Sequence, residues 1–527
     1  MSLRSPRRQA LVAALLLMLA LGLRLGEVAR TSYRPVGDAT AYLTLASQIA
    51  HSGDYRNSHA PGSGAGGSRG PTAYFPPAFP YLLAAVDLID GHATPADGAV
   101  EPARIAGAVL GTLTAGFVGL VGLEAFGEVV ALIALALAAV YPVFVELAGV
   151  VVAENLMTLL VLAATWAALR ARRSAHPHGW IALAGILTGL ATLSHVNSIV
   201  LLLPLGIAAW RLFSPTTGWS PTTTGPPAAT TGPPATTGGP PATTAGPPAT
   251  TAGPATTTGL TATTTGPQPR AARPWARRRR AGPLAWRPAQ QAAASALLVA
   301  STLLTLAPWV VRDAIELHRF VPVTDEGGVT LVGTYNRASA ANPHVPYQWM
   351  IFARIPGEPP QIRHPAELAE PTLSARLEHQ ALHYIARHPT APVAVLYHNT
   401  RRLLELEGAT AWRFSAASIG LPLGTARIGV ASFWLLALLA LGGLFTRAFR
   451  RAPAWLWLVP VLLWLTVALV NGETPRFREP IDPFLILAAS CALSTLLARA
   501  IGRRRELNRG RSGSVRLAAP AGPGAPR

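Results

Sequence analysis

About ten apolar blocks, each of roughly twenty residues, constrain this chain more than any other feature of its sequence. A helix of that length crosses the roughly 30 Å hydrocarbon core of a bilayer. Because lipid offers the backbone no hydrogen-bond partners, apolar blocks of this kind must be helices. Only 13% of the 527 residues are charged. The sequence therefore predicts an all-α polytopic membrane protein.

The first apolar block follows an arginine-rich start and runs to about residue 29. It has no obvious small-residue cleavage site, so we interpret it as an uncleaved first span rather than a signal peptide. Further along, the polar group at 194–197 divides the block at 180–212, which predicts two short spans that meet there. We predict spans near 11–29, 103–123, 128–148, 153–170, 180–194, 196–212, 291–310, 427–446, 454–470 and 481–501.

Arginine positions predict the orientation of these spans. All 44 basic residues are arginine, which is typical of a GC-rich bacterial genome. The dense clusters fall in alternate loops, and cytoplasmic loops carry the excess of positive charge. We therefore expect both termini on the cytoplasmic side of the plasma membrane. The net charge of +19 then reflects topology rather than nucleic-acid binding. The inner clusters are Arg4, Arg7, Arg8; Arg170, Arg172, Arg173; Arg270, Arg273, Arg277 to Arg280; Arg447, Arg450, Arg451; and Arg503 to Arg505.

The same pattern divides the chain into segments. A first module at 1–213 includes an outer loop at about 30–102, in which we predict interfacial helices at 39–50 and 77–89. The Thr/Pro/Gly/Ala repeat within 214–289 has almost no apolar side chains that could form a core, which predicts a disordered cytoplasmic linker. The remaining segments are a span at 290–310, an outer domain at 311–426, C-terminal spans at 427–502 and a basic disordered tail at 503–527.

The outer domain is predicted to be small and mixed. Its β-prone pieces include Val329 to Tyr335, and the segment Leu373 to Arg387 reads as a helix. Asp325 and Glu326 precede two glycines, which indicates a turn, so we assign them no chemistry. The single cysteine, Cys491, lies in an apolar block, which excludes an intrachain disulfide.

The first outer loop carries the most informative motifs, GDATAYLTLASQIAHSGDY and RGPTAYFPPAFPYLLAAV. Asp38 follows the first span by only about nine residues, so it lies close to the membrane surface. An acid held near the headgroups suits a reaction on a lipid phosphate. Asp is also a favoured N-cap, and Asp38 could instead cap the helix that begins near Ala39.

These motifs resemble the first outer loop of type-C fold, polyprenyl-phosphate-dependent glycosyltransferases, which include protein O-mannosyltransferases and the aminoarabinose transferase of lipid A. Four further segments resemble the same family in the same order: VVAENLMTLLVLAA, APWVVRDAIELHRFVPVTDEGGVTLVGTYN, HYIARHPTAPVAVLYHN and ETPRFREPIDPFLILAA. The resemblance covers most of 1–213 and 290–500. It implies transfer of a sugar from a polyprenyl-phosphate donor to an acceptor hydroxyl on the outer face of the membrane.

Asp38 matches the family's catalytic acidic position, which implies a general base and an inverting, one-step displacement. The family often has a second acid immediately after it, but Ala39 follows here. Cationic partners are needed for the departing phosphate. The candidates for that role are Arg312, His195, Arg69 and Arg476, and the candidates for lining the donor cavity are Glu154, Tyr42 and Tyr74.

Several of these residues also have structural interpretations. Glu154 could be an N-cap, and Tyr42 belongs to the apolar face of its helix. Arg312 and Arg476 could be interface anchors, because charges at span ends are tolerated. A histidine such as His195 is more often a hydrogen-bonded packing residue than a ligand.

We expect no cofactor and no metal, because arginine alone can neutralise a monophosphate and the spacing of His51 and His59 is not diagnostic. Three alternatives stay open: a polymerase or ligase of lipid-linked glycans, a transporter or flippase, and a protein that only binds lipid-linked sugar. The sequence contains no P-loop or HExxH motif. Transporters place polar residues at mid-membrane, whereas here polar residues gather at the outer ends of the blocks.

Overall fold

Helices dominate the computed structural model, which describes residues 6–57, 70–90, 100–213, 286–356 and 368–516, with backbone only at 286–287 and 504–516. No β-strand occurs within these ranges apart from one isolated bridge between Arg56 and Pro71. The helices of the first half are α1 Pro6–Arg30, α2 Asp38–Ser52, α3 Ala78–Asp90, α4 Val100–Phe126, α5 Glu128–Val140, α6 Pro142–Ala148, α7 Glu154–Ala171, α8 Pro177–Ser194 and α9 Leu202–Arg211.

The second half continues the helical pattern and includes the outer segment predicted at 311–426. Its helices are α10 Trp286–Glu316, α11 Gly327–Thr334, α12 Arg337–Ala340, α13 Glu370–Arg387, α14 Ala391–Leu403, α15 Ala409–Ser418, α16 Leu423–Leu444, α17 Arg447–Arg451, α18 Ala454–Ala468 and α19 Asp482–Arg516. Short 3₁₀ turns lie at Val196–Leu201, Phe352–Arg354 and Arg476–Arg478.

Each of the ten predicted spans coincides with a helical segment, and the all-α membrane architecture is confirmed. By length and composition, five described helices could cross a membrane, or six if the bent pair α5 and α6 counts as one span. The number of spans stays a prediction. The predicted division of 180–212 is confirmed, because α8 ends at Ser194 and a 3₁₀ turn follows His195.

The predicted span at 128–148 is bent by 53° between α5 and α6. Pro142 has no backbone N–H, so the turn at Tyr141 leaves carbonyls at the end of α5 without helical partners. Arg24, fully buried in α1, donates to the carbonyls of Ala138 and Ala139 at 3.1 Å. The charged side chain of Arg24 therefore supplies hydrogen bonds to carbonyls at the end of α5, where the helix breaks.

The β-prone interpretation of Val329 to Tyr335 is wrong, because residues 327–334 form α11. Val329 and Val332 are three residues apart and both are buried, which is the spacing of one helix face. A Cβ at Gly328 would lie 2.0 Å from the carbonyl oxygen of Ser374, so only glycine permits the observed contact between α11 and α13. Close packing of the two helices thus overrides the local preference for a strand.

Helix predictions elsewhere in the outer loops are confirmed. The segment predicted as a helix at 39–50 is α2, the one at 77–89 is α3, and Leu373 to Arg387 falls within α13. Their interfacial placement stays a prediction. Most of the linker at 214–289 and the end of the tail lie outside the described residues, as do Arg69 and His59.

Candidate active site

Asp38 is the first residue of α2. The chain turns sharply into this helix at Gly37, where φ is 55° and ψ is −123°, a conformation that side-chain-bearing residues rarely adopt. The Asp38 carboxylate makes no hydrogen bond to a backbone amide among the described contacts. Its Oδ2 instead accepts a hydrogen bond from Arg476 Nη1 at 2.8 Å. The structure therefore favours an ion-pair role for Asp38 over helix capping.

Arg476 is the centre of the charged cluster. It lies on the 3₁₀ turn between α18 and α19, and its side chain is 15% exposed. Its Nε lies 3.8 Å from Oε1 of Glu154 and 3.8 Å from Oε2 of Glu473. Burial lowers the pKa of Arg476, but the charges of Asp38, Glu154 and Glu473 outweigh it and raise the pKa above its ordinary value. The guanidinium therefore stays charged and faces three carboxylates.

Glu154 opens α7, and its side chain is 4% exposed. The N-cap of α7 is Ala153, so Glu154 is the first residue of the helix rather than its N-cap. Glu154 and His195 both border a cleft of about 250 Å³, a volume that includes space open to solvent. The other lining residues are Met157, Asn197, Leu463, Thr466, Val467, Phe477 and Pro480. A mostly apolar cleft thus adjoins the charged cluster.

His195 sits at the break between α8 and the following 3₁₀ turn. Its Nδ1 is buried and has no hydrogen-bond partner within the described residues. Burial, and then the charge of Arg476, lower the pKa of His195 to about 4. The imidazole is therefore neutral near pH 7 and can offer a ligand one hydrogen bond but no charge. Its ring lies edge-on to Phe477, with ring centroids 6.1 Å apart.

Tyr42 and Tyr74 form an aromatic wall with two phenylalanines. Tyr42 lies 4.7 Å from Phe75 and 5.1 Å from Phe79, and Tyr74 lies 4.8 Å from Phe75, measured between ring centroids. Both tyrosines are buried, and this burial raises their pKa values well above the ordinary value. The wall joins the two halves of the first outer loop beside Asp38.

Arg312 is held away from Arg476's cluster by contacts with the first outer loop. Its Nη1 donates to the carbonyl of Thr72 at 2.7 Å and its Nη2 to the carbonyl of Tyr55 at 2.9 Å. The guanidinium also lies over the Trp309 ring and pairs with Asp313. These contacts favour a role in bracing the loop, and the phosphate-binding role of Arg312 stays a prediction.

Sequence reasoning missed two acids that the structure brings to the cluster. Glu473 approaches Arg476 as described and also accepts a hydrogen bond from Ser418 Oγ at 3.2 Å. Its spacing of three residues from Arg476, within ETPRFREP, was the available signal. Glu326 is brought near Asp38 only by the tertiary fold, so no local pattern reveals it.

Glu326 follows two residues that are hydrogen-bonded to the first outer loop. The Thr324 hydroxyl donates to the carbonyl of Tyr74, and the backbone N–H of Asp325 donates to the carbonyl of Ala73 at 3.1 Å. Burial, followed by the charge of Asp38, raises the pKa of Glu326 to about 8. At neutral pH the cluster therefore gains a protonated carboxyl group rather than a further charge.

These acids and histidines are types of residue that can bind metal ions. Across the described ranges, no group of three or more His, Cys, Asp or Glu side chains is arranged to hold a metal ion. His51 lies 3.9 Å from Asp87, and its predicted neighbour His59 is outside those ranges. Independence from metals stays a prediction.

Comparison with known protein families identifies one match. A family model described as dolichyl-phosphate-mannose-protein mannosyltransferase matches residues 75–224. This finding confirms the resemblance to type-C fold glycosyltransferases. No curated protein matches the chain.

Solved structures with a similar arrangement include archaeal oligosaccharyltransferases. AglB from Archaeoglobus fulgidus, in complex with an inhibitory peptide and a dolichol-phosphate, is 12% identical with a TM-score of 0.48. This match covers 98% of our chain and 52% of AglB. An oligosaccharyltransferase from the same organism, in complex with zinc and sulfate, is 14% identical with a TM-score of 0.49, over 93% of our chain and 50% of that protein. The chain thus spans about half the length of these proteins.

ArnT from Cupriavidus metallidurans, in a crystal structure bound to undecaprenyl phosphate, is also similar. The two chains are 14% identical with a TM-score of 0.31, over 92% of our chain and 76% of ArnT.

Proposed function

We propose that this protein is a glycosyltransferase that moves a sugar from a polyprenyl-phosphate donor to an acceptor hydroxyl on the outer face of the plasma membrane. The observation that carries the proposal is the contact between Asp38 and Arg476. It places a candidate base and a candidate phosphate partner together at the ends of apolar helices. The family match at residues 75–224 supports the same class of reaction.

In the proposed step, the Asp38 carboxylate takes the proton of the acceptor hydroxyl. The acceptor oxygen forms a bond to the anomeric carbon as the bond from that carbon to the phosphate oxygen breaks. The electron pair of the broken bond leaves with the polyprenyl phosphate. One displacement inverts the anomeric configuration.

Arg476 would stabilise the negative charge that develops on the leaving phosphate oxygen, because a guanidinium pairs well with phosphate. The neutral His195 would donate or accept one hydrogen bond beside it. The cleft that Glu154 and His195 border is mostly apolar at its other positions. Arg69 remains a further candidate for the phosphate, although the structure does not describe it.

The outer location supports a lipid-linked donor on chemical grounds. Nucleotide sugars are made in the cytoplasm, so an outward-facing site requires a sugar that has already crossed the membrane on a lipid carrier. The predicted orientation places Asp38 outside, since it follows the first span from an arginine-rich inner start.

The test uses purified protein in nanodiscs with a panel of radiolabelled polyprenyl-phosphate sugars and a mixture of envelope acceptors. We expect release of sugar from at least one donor and a product of inverted anomeric configuration by NMR. If no donor in the panel releases sugar while the protein still binds it, the binding and transport alternatives replace this proposal.

A further inference from the structure

Most of the N–H groups of the buried Arg476 make no described hydrogen bond. Of its five N–H groups, one makes a described hydrogen bond, from Nη1 to Asp38. Its Nε is buried without a hydrogen-bond partner within the described residues, since Glu154 and Glu473 both stand 3.8 Å away. Buried N–H groups in folded proteins are nearly always paired. Across the described residues, four of the five N–H groups of Arg476 make no hydrogen bond, so the guanidinium can still donate to a phosphate.

The carboxylates around Arg476 oppose such an anion. Asp38, Glu154 and Glu473 all approach the guanidinium, and Glu326 adds a fourth negative charge if it ionises. The neighbouring His195 supplies no compensating charge near neutral pH. An arriving phosphate must therefore compete with a carboxylate for Arg476, and the only carboxylate hydrogen-bonded to Arg476 among the described contacts is Asp38.

The same contact restrains the proposed base. The Oδ2 atom of Asp38 accepts the hydrogen bond from Arg476 Nη1. While the contact between Asp38 and Arg476 persists, this oxygen is engaged with the guanidinium and is not open to the hydrogen of an acceptor hydroxyl. Release of Asp38 from Arg476 and arrival of the phosphate at Arg476 are then the same event.

We infer that the pair of Asp38 and Arg476 is a resting lock, which the donor phosphate opens and which closes again to expel the lipid phosphate product. This inference rests on the proposed function. Donor binding transfers Arg476 from Asp38 to the phosphate and frees the carboxylate to act as the base. After transfer, Asp38 carries the acceptor's proton and cannot compete for Arg476.

Product release follows from the fate of that proton. Once Asp38 passes it to water, the carboxylate regains its charge and its affinity for Arg476. The lipid phosphate then loses its partner and leaves. The lock therefore predicts that donor binds before acceptor, and that Asp38 weakens the affinity for lipid phosphate although it is required for turnover.

The test measures the affinity of undecaprenyl phosphate for the full-length protein in nanodiscs, for wild type, Asp38→Asn and Glu473→Gln. Each variant removes one negative charge near Arg476, but only Asp38→Asn removes the charged hydrogen-bond competitor. We expect Asp38→Asn to bind about 10-fold more tightly than wild type, and Glu473→Gln to change affinity by less than about 3-fold. A melting temperature equal to that of the wild type establishes that each variant is folded.

An equal gain in affinity for undecaprenyl phosphate in both variants would mean that any negative charge near Arg476 repels the phosphate, and it would overturn the lock. Unchanged or weaker binding by Asp38→Asn would overturn it as well. If Asp38→Asn loses turnover while its affinity is unchanged, the proposed function stands and the lock alone fails. If no form of the protein binds undecaprenyl phosphate, the lipid-phosphate proposal and the lock both fail.

Discussion

At the scale of single residues, the proposed reaction depends on Arg476, which would bind the donor phosphate. The other described residues of the cluster are acids, a neutral histidine and aromatic rings, so the positive charge depends on this side chain. Asp38, Glu154 and Glu473 surround its guanidinium, yet only one of its N–H groups, on Nη1, makes a described hydrogen bond. Loss of this arginine would leave the described part of the proposed site without a positive charge.

Replacing Arg476 with glutamine should therefore lower kcat/KM for the lipid-linked donor by at least about 100-fold, since a charged contact to the departing phosphate is removed. Arg476→Lys should retain more activity, because it keeps the charge but cannot bind phosphate with two parallel hydrogen bonds. The exposed Arg354 provides the control, and Arg354→Gln should leave donor turnover unchanged. Similar losses in the Arg476 and Arg354 variants would contradict the assignment.

Asp325 makes stability depend on pH. Burial, and then the neighbouring Glu370, raise its pKa to about 9. The folded protein thus keeps a proton that the unfolded chain releases above about pH 4, so stability falls as pH rises from about 4 towards 9. Asp325→Asn mimics the protonated acid and should remove this contribution.

The measurement is the melting temperature of purified protein at about pH 5 and about pH 8. We expect Asp325→Asn to melt roughly 2 °C or more above wild type at the higher pH, with a smaller difference between the two pH values. Asp54 is exposed in the first outer loop, and Asp54→Asn serves as the control. An unchanged pH slope in Asp325→Asn would refute the role of this carboxyl.

At the scale of elements, hydrogen bonds from the outer segment hold the first outer loop in place. The stretch at 72–74 is contacted by Arg312 from α10, by Thr324 and Asp325 ahead of α11, and by Glu370 at the start of α13. Since this stretch leads into the aromatic wall beside Asp38, the outer helices position the proposed base through the loop.

Close helix crossings depend on individual glycines. A Cβ at Gly443 in α16 would lie 2.0 Å from the carbonyl oxygen of Ala488 in α19, a backbone atom that cannot move aside. We expect Gly443→Ala to destabilise the protein by about 2 kcal/mol, because the two helices must separate. Gly424 in the same helix has nothing within 4 Å of the corresponding position.

Thermal unfolding of Gly443→Ala and of Gly424→Ala separates two effects. Both variants gain the higher helix propensity of alanine, but only Gly443→Ala disturbs the contact between α16 and α19. The Gly424 variant should melt at or above the wild-type temperature, and the Gly443 variant clearly below it. Equal melting temperatures would show that α16 and α19 are not in the contact described.

Sequence reasoning located the elements well where one local signal dominated. Long apolar blocks gave the helices, and the polar group at 194–197 gave the break at His195. It failed at Val329 to Tyr335, where packing of α11 on α13 overrides strand propensity. The motif around Asp38 revealed the candidate base, but Glu326 comes from a segment almost 300 positions away, which no local pattern connects to it.

At the scale of the whole molecule, the proposed reaction requires Asp38 to lie outside the cell, and the predicted topology then puts the loop after α7 inside. The single cysteine, Cys491, is buried, so a Cys491→Ser background is free of thiols. Single cysteines can then be placed at Ser52, at the end of α2, and at Ala175, in the loop between α7 and α8; both positions are exposed.

In intact cells, a membrane-impermeant maleimide should label Ser52→Cys and not Ala175→Cys. Both should be labelled once the membrane is permeabilised, which controls for accessibility within the fold. The reverse pattern in intact cells would invert the topology that the arginine distribution predicts, and it would remove the argument for a donor carried across on a lipid.

The most direct test of the central claim compares wild type, Asp38→Asn and Asp54→Asn for release of sugar from radiolabelled polyprenyl-phosphate donors. Asp54 belongs to the same outer loop but is exposed and pairs with Arg56. We predict a loss of at least about 100-fold for Asp38→Asn in a variant that remains folded and binds donor, and wild-type turnover for Asp54→Asn. Turnover by Asp38→Asn at the wild-type rate would contradict the account, because the reaction would then need no base at this position.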